Sequence, residues 1–135
     1  MIRPRATGIM ARLDAEASQL WQEAIGVMWM RTCGVCGKQT EAGCGHHIIG
    51  KRCKQAKYEL MNGIYVCSEP HKKNTASCHD RIHANKKGFL IWLETSWPDL
   101  YDWHIKNRNP PAKVRFTHEL RETLIYLKQF IKENK

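Results

Sequence analysis

The sequence predicts a small α+β fold in which a two-stranded antiparallel ribbon, stapled by a metal ion, is flanked by N- and C-terminal helices. Three observations predict it. All six cysteines and five of the seven histidines lie between Cys33 and His83. Two short, β-branched or aromatic segments bounded by glycines lie inside that region, and amphipathic helical patterns lie on both sides of it.

The composition divides the chain into three parts. Residues 1–31 are predicted to be an N-terminal helical extension, residues 32–107 the metal-stapled domain, and residues 108–135 a linker with a last helix. A chain of 135 residues with 42% hydrophobic composition suffices for one modest core rather than two. We therefore expect a single domain with extensions.

The first half of the chain contains one helix and two strands. Apolar residues recur at three- and four-residue spacing over residues 9–30, which predicts an amphipathic helix. The strands are predicted over residues 45–49 and 63–67. Between them, residues 50–62 are numerous enough for a functional loop rather than a tight turn.

The second half is predicted to be helical. A short helix is expected over residues 76–84, and two more over residues 86–107, where Ser96 caps the second with Pro98 and Asp99 in its first turn. Residues 109–111 are interpreted as a linker, and Thr117 is expected to cap the last helix. The predicted core stripe of that helix is Leu120, Leu124, Leu127 and Ile131.

The charge favours a polyanionic partner. Twenty-two Lys and Arg against thirteen Asp and Glu give a net charge of +9 and a pI near 9.4. The N-terminus does not resemble a signal peptide, and no stretch reaches the ~18 apolar residues of a membrane span. We therefore expect a cytoplasmic protein without a membrane partner, whose reduced, clustered cysteines bind metal.

Cys33 and Cys36 form half of a typical structural zinc site, because two thiolates at this spacing reach one tetrahedral ion. Cys67 and Cys78 are the first choice for the second pair. Cys44, Cys53 and His71 are the alternatives.

A second metal site is predicted around His79 and His83. Four residues apart on a helix, they project from one face and can share an ion. Either His46 or His47 could be the third ligand, which leaves the other for proton transfer. Adjacent strand residues point to opposite faces, so we expect a bend or bulge at this pair.

Three stretches carry a resemblance to a known family: Gly45-His46-His47-Ile48, Asn62-Gly63-Ile64-Tyr65-Val66-Cys67, and Cys78-His79 with His83. They resemble the HNH (His-Asn-His) endonucleases of ββα-metal fold, and residues 33–103 are similar to small zinc-binding HNH proteins of phages and prophages. The resemblance implies a ββα-metal nuclease core that hydrolyses phosphodiester bonds in DNA and nicks with low sequence specificity. A phage-encoded protein would act in the host cytoplasm, as a monomer or homodimer.

The resemblance also implies roles for individual residues. His46, His79 and His83 would bind the catalytic divalent ion, which is Mg²⁺, Mn²⁺, Ni²⁺ or Zn²⁺. His47 would be the general base, and Asn62 would fix the loop and orient His47. The structural Zn²⁺ is assigned from the cysteine spacing, not from the resemblance, to Cys33, Cys36, Cys67 and Cys78.

The chain departs from the family pattern after Cys67. Ten residues separate Cys67 from Cys78-His79, so either an insertion lies between two zinc ligands or His71 replaces Cys78 or His79. Five basic residues near the proposed site are predicted to hold the DNA backbone without reading sequence, namely Lys51, Arg52, Lys54, Lys57 and Arg81.

Two other functions compete with a nuclease. The first is a non-catalytic zinc-finger module that binds nucleic acid, with its zinc on Cys33, Cys36, Cys44 and His46. The second is an interaction protein, such as one used in virion assembly, built on a degenerate nuclease fold. A nucleotide-binding enzyme is not supported, because the sequence has no glycine-rich phosphate loop.

Overall fold

The structure, a computed structural model, describes residues 8–51, 53, 56–71, 75–109 and 117–135. Within these residues the chain has five α-helices and one two-stranded sheet, which confirms the predicted α+β class. In chain order the elements are α1 (Ile9–Met28), β1 (Gly43–His47), β2 (Gly63–Cys67), α2 (Cys78–Ala84), α3 (Lys86–Ser96), α4 (Pro98–Asn107) and α5 (Thr117–Asn134).

The two strands form a regular antiparallel ribbon. Gly43 pairs with Cys67 at one end and His47 with Gly63 at the other, with every intervening residue in register. The expectation of a bulge at the two histidines is therefore wrong, since the described strands contain no extra residue. The first strand begins and ends two residues earlier than predicted, although the Ile48 amide still donates to the Asn62 carbonyl at 2.9 Å.

Each face of the ribbon packs on a different set of helices. On one face lie α1 and α5, in a cluster of buried residues that includes Trp21, Ile25, Tyr65, Leu124 and Leu127. The predicted stripe of α5 is buried here, as expected for an amphipathic helix. The division of the chain at residues 31 and 107 stays a prediction.

The other face of the ribbon packs on α2, α3 and α4. Ile64 and Val66 of β2 form a second buried cluster with Ile82 of α2, Leu93 of α3 and Leu100 of α4. Because strand side chains alternate, β1 contributes Cys44 and His46 to this side and Gly45 and His47 to the side of α1.

Local hydrogen bonds set the helix boundaries. The Ser77 hydroxyl accepts from the Asp80 amide at 3.2 Å, which caps α2. Ser96 is not the cap of α4 as predicted, because it is the last residue of α3 and Trp97 takes the cap position. Pro98 begins α4, where its missing N–H has no helical partner to lose.

Two further expectations concern the membrane and the linker. None of the helices in the described part of the chain is long and apolar enough to cross a bilayer. Thr117 is the first residue of α5, while Pro110 and Pro111 of the predicted linker lie outside the described residues.

Candidate metal centres and cleft

Four cysteines from distant parts of the chain converge at one end of the ribbon. The sulfur atoms of Cys33, Cys36, Cys67 and Cys78 all lie within 4.8 Å of one another. The first two come from the turn after α1, the third ends β2 and the fourth begins α2. This cluster could hold a metal ion such as zinc.

The spacing of the cluster fits a tetrahedral ion. Thiolates bound tetrahedrally at ~2.3 Å lie about 3.8 Å apart, and the Cys36 and Cys67 sulfurs are 3.9 Å apart. Burial raises the pKa of the Cys33 thiol, but backbone hydrogen bonds from Cys36, Cys67 and Val35 outweigh it and lower that pKa to about 7. Burial raises the pKa of Cys36 and of Cys78, and a bound cation would act in the opposite direction by stabilising their thiolates.

His71 lies against this cluster, beside two of its four cysteines. Its Nε2 atom is 3.0 Å from the Cys67 sulfur and 3.4 Å from the Cys78 sulfur. An N–H at this place would donate to one of these sulfur atoms. The ten-residue segment after Cys67 therefore leaves Cys78 with the cysteines and His79 with the other histidines. Cys44 and Cys53 belong to neither group.

Three histidines form a second cluster, on the side of the ribbon opposite α1. One nitrogen each of His46, His79 and His83 lies within 4.8 Å of the others. The His79 and His83 Nε2 atoms are 3.1 Å apart. Nitrogens bound to one ion at ~2.1 Å lie about 3.0 to 3.4 Å apart, so this pair suits a shared ion.

The environment favours the neutral form of two of these imidazoles, those of His46 and His79. Burial is the main reason that the pKa of His46 is lowered to about 4. The positive charges that His83 and His79 would carry lower it further. Burial and His83 also lower the pKa of His79, against the opposite effect of Asp80. Neutral imidazole is the form that binds metal, so the lowered pKa values of His46 and His79 favour metal binding.

His47 lies outside the three-histidine cluster. Its ring stacks on the indole of Trp21, with centroids 3.9 Å apart and planes 10° apart. Its Nε2 is 3.0 Å from the Lys57 carbonyl oxygen. Because a carbonyl only accepts, Nε2 carries the proton and Nδ1 is left with a lone pair. Burial lowers the pKa of His47 to about 4, although the Lys57 carbonyl acts in the opposite direction, so the ring is a neutral proton acceptor at pH 7.

Asn62 holds the loop that supplies this carbonyl. Its buried side chain accepts from the Ile49 amide at 2.6 Å and donates to the carbonyls of Ile49 and Ala56 at 3.1 and 3.0 Å. Asn62 does not touch His47 in any of these bonds. It bonds the backbone at Ala56, one residue before the carbonyl that His47 contacts. The role of Asn62 in orienting His47 stays a prediction.

One cleft of about 950 Å³ brings the two kinds of histidine together. His46, His79 and His83 line it with His47, although His46 and His47 leave the strand on opposite sides. Regular strand geometry is thus compatible with a shared site, because the cleft runs past the end of β1.

The cations predicted to contact a polyanion fall in different places. Lys51 lines the cleft, and Lys86 at the start of α3 lines it as well, although sequence reasoning did not single it out. The Lys57 ammonium pairs with the Asp14 carboxylate at 3.1 Å, so it is directed to α1. Arg81 is exposed on α2 and is not among the residues that line the cleft. Arg52 and Lys54 lie outside the described residues.

Sequence reasoning also missed two residues of α1. Trp21 contacts His47, and the Gln22 amide accepts from the Gly45 N–H at 2.7 Å and donates to the Gly45 carbonyl at 3.0 Å. The signal that could have revealed them is the pair of glycines on the ribbon, since a residue without a side chain permits close packing of a neighbour.

Comparisons with protein-family models, with curated proteins and with solved structures find no match to this chain.

Proposed function

We propose that this protein is a metal-dependent endonuclease of the HNH type that hydrolyses phosphodiester bonds in DNA and nicks with low sequence specificity. The observation that carries the proposal is the content of one cleft: three histidines spaced for a single ion, and a fourth, neutral histidine whose Nδ1 carries a lone pair. In this proposal β1, β2 and α2 form a ββα-metal core.

The proposed chemistry follows from this donor set. When bound by His46, His79 and His83, a divalent ion would stabilise negative charge on the scissile phosphate and on the leaving oxygen. His47 accepts a proton from the attacking water at Nδ1, because Nε2 already donates to Lys57. Asn62 keeps that carbonyl in place through its bonds to the loop.

The cysteine cluster has a different proposed role. Four thiolates close the coordination of a tetrahedral ion and leave no position for substrate, which is typical of structural zinc. The cluster joins the turn after α1, the end of β2 and the start of α2. Zinc would thereby hold the helix that carries His79 and His83 against the strand that pairs with β1.

DNA as the substrate is supported by charge. The net charge of +9 favours a polyanion, and Lys51 and Lys86 line the cleft beside the histidines. Lysine ammonium groups attract phosphate at any sequence, so recognition of the backbone rather than of base edges is proposed.

The zinc-finger alternative receives less support from this geometry. It requires Cys44 and His46 to join Cys33 and Cys36, whereas His46 lies with the other histidines and Cys44 with neither group. A binding module built on the four cysteines alone would not account for the histidine cluster or for His47.

A plasmid-nicking assay tests the proposal. Zinc-loaded protein is incubated with supercoiled plasmids of unrelated sequence, with Mg²⁺, Mn²⁺, Ni²⁺ or Zn²⁺ added and with EDTA as the control. We expect open-circular product with at least one ion, at similar rates on each plasmid, and none with EDTA. Intact plasmid with every ion would contradict the proposed activity.

A further inference from the structure

The imidazole of His47 lies flat on a side chain that belongs to α1 rather than to the ribbon. Trp21 is fully buried, and its indole stacks on His47 at 3.9 Å and 10°. The indole N–H donates to the Glu59 carbonyl at 3.0 Å, in the loop that also carries the Lys57 carbonyl. The indole is therefore fixed by packing and by a hydrogen bond of its own.

Two glycines allow the indole to lie this close to the ribbon. A β-carbon on Gly45 would come within 2.9 Å of Trp21 Cζ3, and one on Gly63 within 2.7 Å of Cζ2. Gly63 is the direct cross-strand partner of His47. A side chain at either glycine would therefore clash with the ring on which His47 rests.

Other side chains of α1 hold the same region. Gln22 bonds both backbone groups of Gly45, as an adjacent strand would, at 2.7 and 3.0 Å. Asp14 pairs with the Lys57 ammonium at 3.1 Å. Helix α1 thus holds the strand that carries His47 and the residue whose carbonyl His47 contacts.

We propose that Trp21 is a positioning residue for His47: its indole face fixes the plane of the imidazole, so that Nε2 keeps its bond to Lys57 and Nδ1 stays the accepting nitrogen. The χ2 torsion of histidine is broad, so one hydrogen bond restrains the ring direction but leaves its plane free to rotate. Stacking on a fixed aromatic ring removes that rotation. The inference rests on the proposed role of His47 as base.

Three variants test the proposal by kinetics. Trp21→Leu keeps apolar volume without a flat face, and Trp21→Phe keeps a flat face without the indole N–H. Leu127→Ala is the matched control, because it disturbs the same core cluster away from His47. We expect Trp21→Leu to lower kcat about 10- to 100-fold at unchanged KM. Trp21→Phe should stay within about threefold of wild type, because the ring plane is retained, and Leu127→Ala should lower Tm alone.

A double variant shows whether Trp21 acts through His47. In the His47→Ala background, Trp21→Leu should cause no further loss of kcat, since the side chain it positions is gone. Losses that multiply would overturn the proposal, as would a kcat loss in Leu127→Ala equal to that in Trp21→Leu at similar Tm.

Nitrogen-detected histidine NMR gives a readout that does not depend on cleavage. Wild type should show His47 as one tautomer, protonated at Nε2, and Trp21→Leu should show a mixture of both. If Trp21→Leu does not fold, the same measurement on Trp21→Phe should retain the single tautomer. A mixture in Trp21→Phe, or a single tautomer in Trp21→Leu, would overturn the proposal. If wild type cuts no DNA, the proposed function fails, and the NMR result alone decides whether Trp21 positions His47.

Discussion

His46 and His47 are neighbours in β1, yet their imidazoles lie on opposite sides of the ribbon. The His46 ring is 5.0 Å from that of His83 on α2, edge to face, whereas the His47 ring stacks at 3.9 Å on Trp21 of α1. A strand without a bulge produces this separation, because its side chains alternate. The proposed metal ligand and the proposed base therefore lie in different packing environments. A substitution in one environment should affect metal binding or proton transfer, but not both.

His83→Ala should weaken the proposed catalytic ion without removing the zinc. Loss of even an outer partner of a metal ligand typically weakens binding about 10- to 100-fold, so loss of a ligand should weaken Mn²⁺ binding at least as much. Titration calorimetry on zinc-loaded protein measures this, with His118→Ala as the control because His118 on α5 does not line the cleft. Excess Mn²⁺ should partly restore nicking. Equal Mn²⁺ affinity in both variants would remove His83 from the ligand set.

Cys36→Ser should release the structural zinc. Wild type is expected to contain about one zinc per chain that resists mild chelation, because a closed site couples metal binding to folding. The variant should lose that zinc and more than about 3 kcal/mol of stability, measured by metal analysis and urea unfolding. Cys44→Ser is the matched control. Because Cys44 lies outside the cluster, this variant should keep its zinc. Zinc loss from Cys36→Ser at unchanged stability would contradict a structural role.

The sequence predicted those features that depend on local spacing. The four-residue separation of His79 and His83 requires only that α2 be helical, and Ser77 favours the helix by capping it. The prediction that Cys67 and Cys78 join Cys33 and Cys36 is confirmed, in that the four form a cluster able to hold a metal. Amphipathic spacing likewise predicted α1 and the buried stripe of α5.

Features that depend on which faces meet could not be predicted. The pattern of α1 places Trp21 on its apolar side, but periodicity does not say that this side covers the ribbon beneath His47. The cleft also extends along β1 and past its end at His47, so His46 and His47 can share it without the expected bulge. Lys57 was interpreted as a DNA contact because it is basic, whereas its partner Asp14 is 43 residues away in the sequence.

Binding to DNA should fall steeply with salt and vary little with sequence. In a His47→Ala background, which slows cleavage, Lys51→Gln with Lys86→Gln should reduce the slope of log K against log salt by about 2, one per lost phosphate contact. Fluorescence anisotropy on unrelated duplexes measures the slope. Lys128→Gln is the control, because Lys128 pairs with Glu16 at 3.2 Å and does not line the cleft. A salt-insensitive complex with one sequence would refute backbone recognition.

The most direct test of the proposed nuclease is the nicking rate of His47→Ala against wild type. The substitution removes the proposed base but leaves His46, His79 and His83 and the four cysteines in place, so fold, zinc content and Mn²⁺ affinity should be those of wild type. Acid–base catalysis by a positioned side chain is typically worth ~10² to 10⁴ in rate. The account predicts that folded, metal-bound His47→Ala nicks supercoiled plasmid at least about a hundredfold more slowly. Equal nicking rates for His47→Ala and wild type would contradict it.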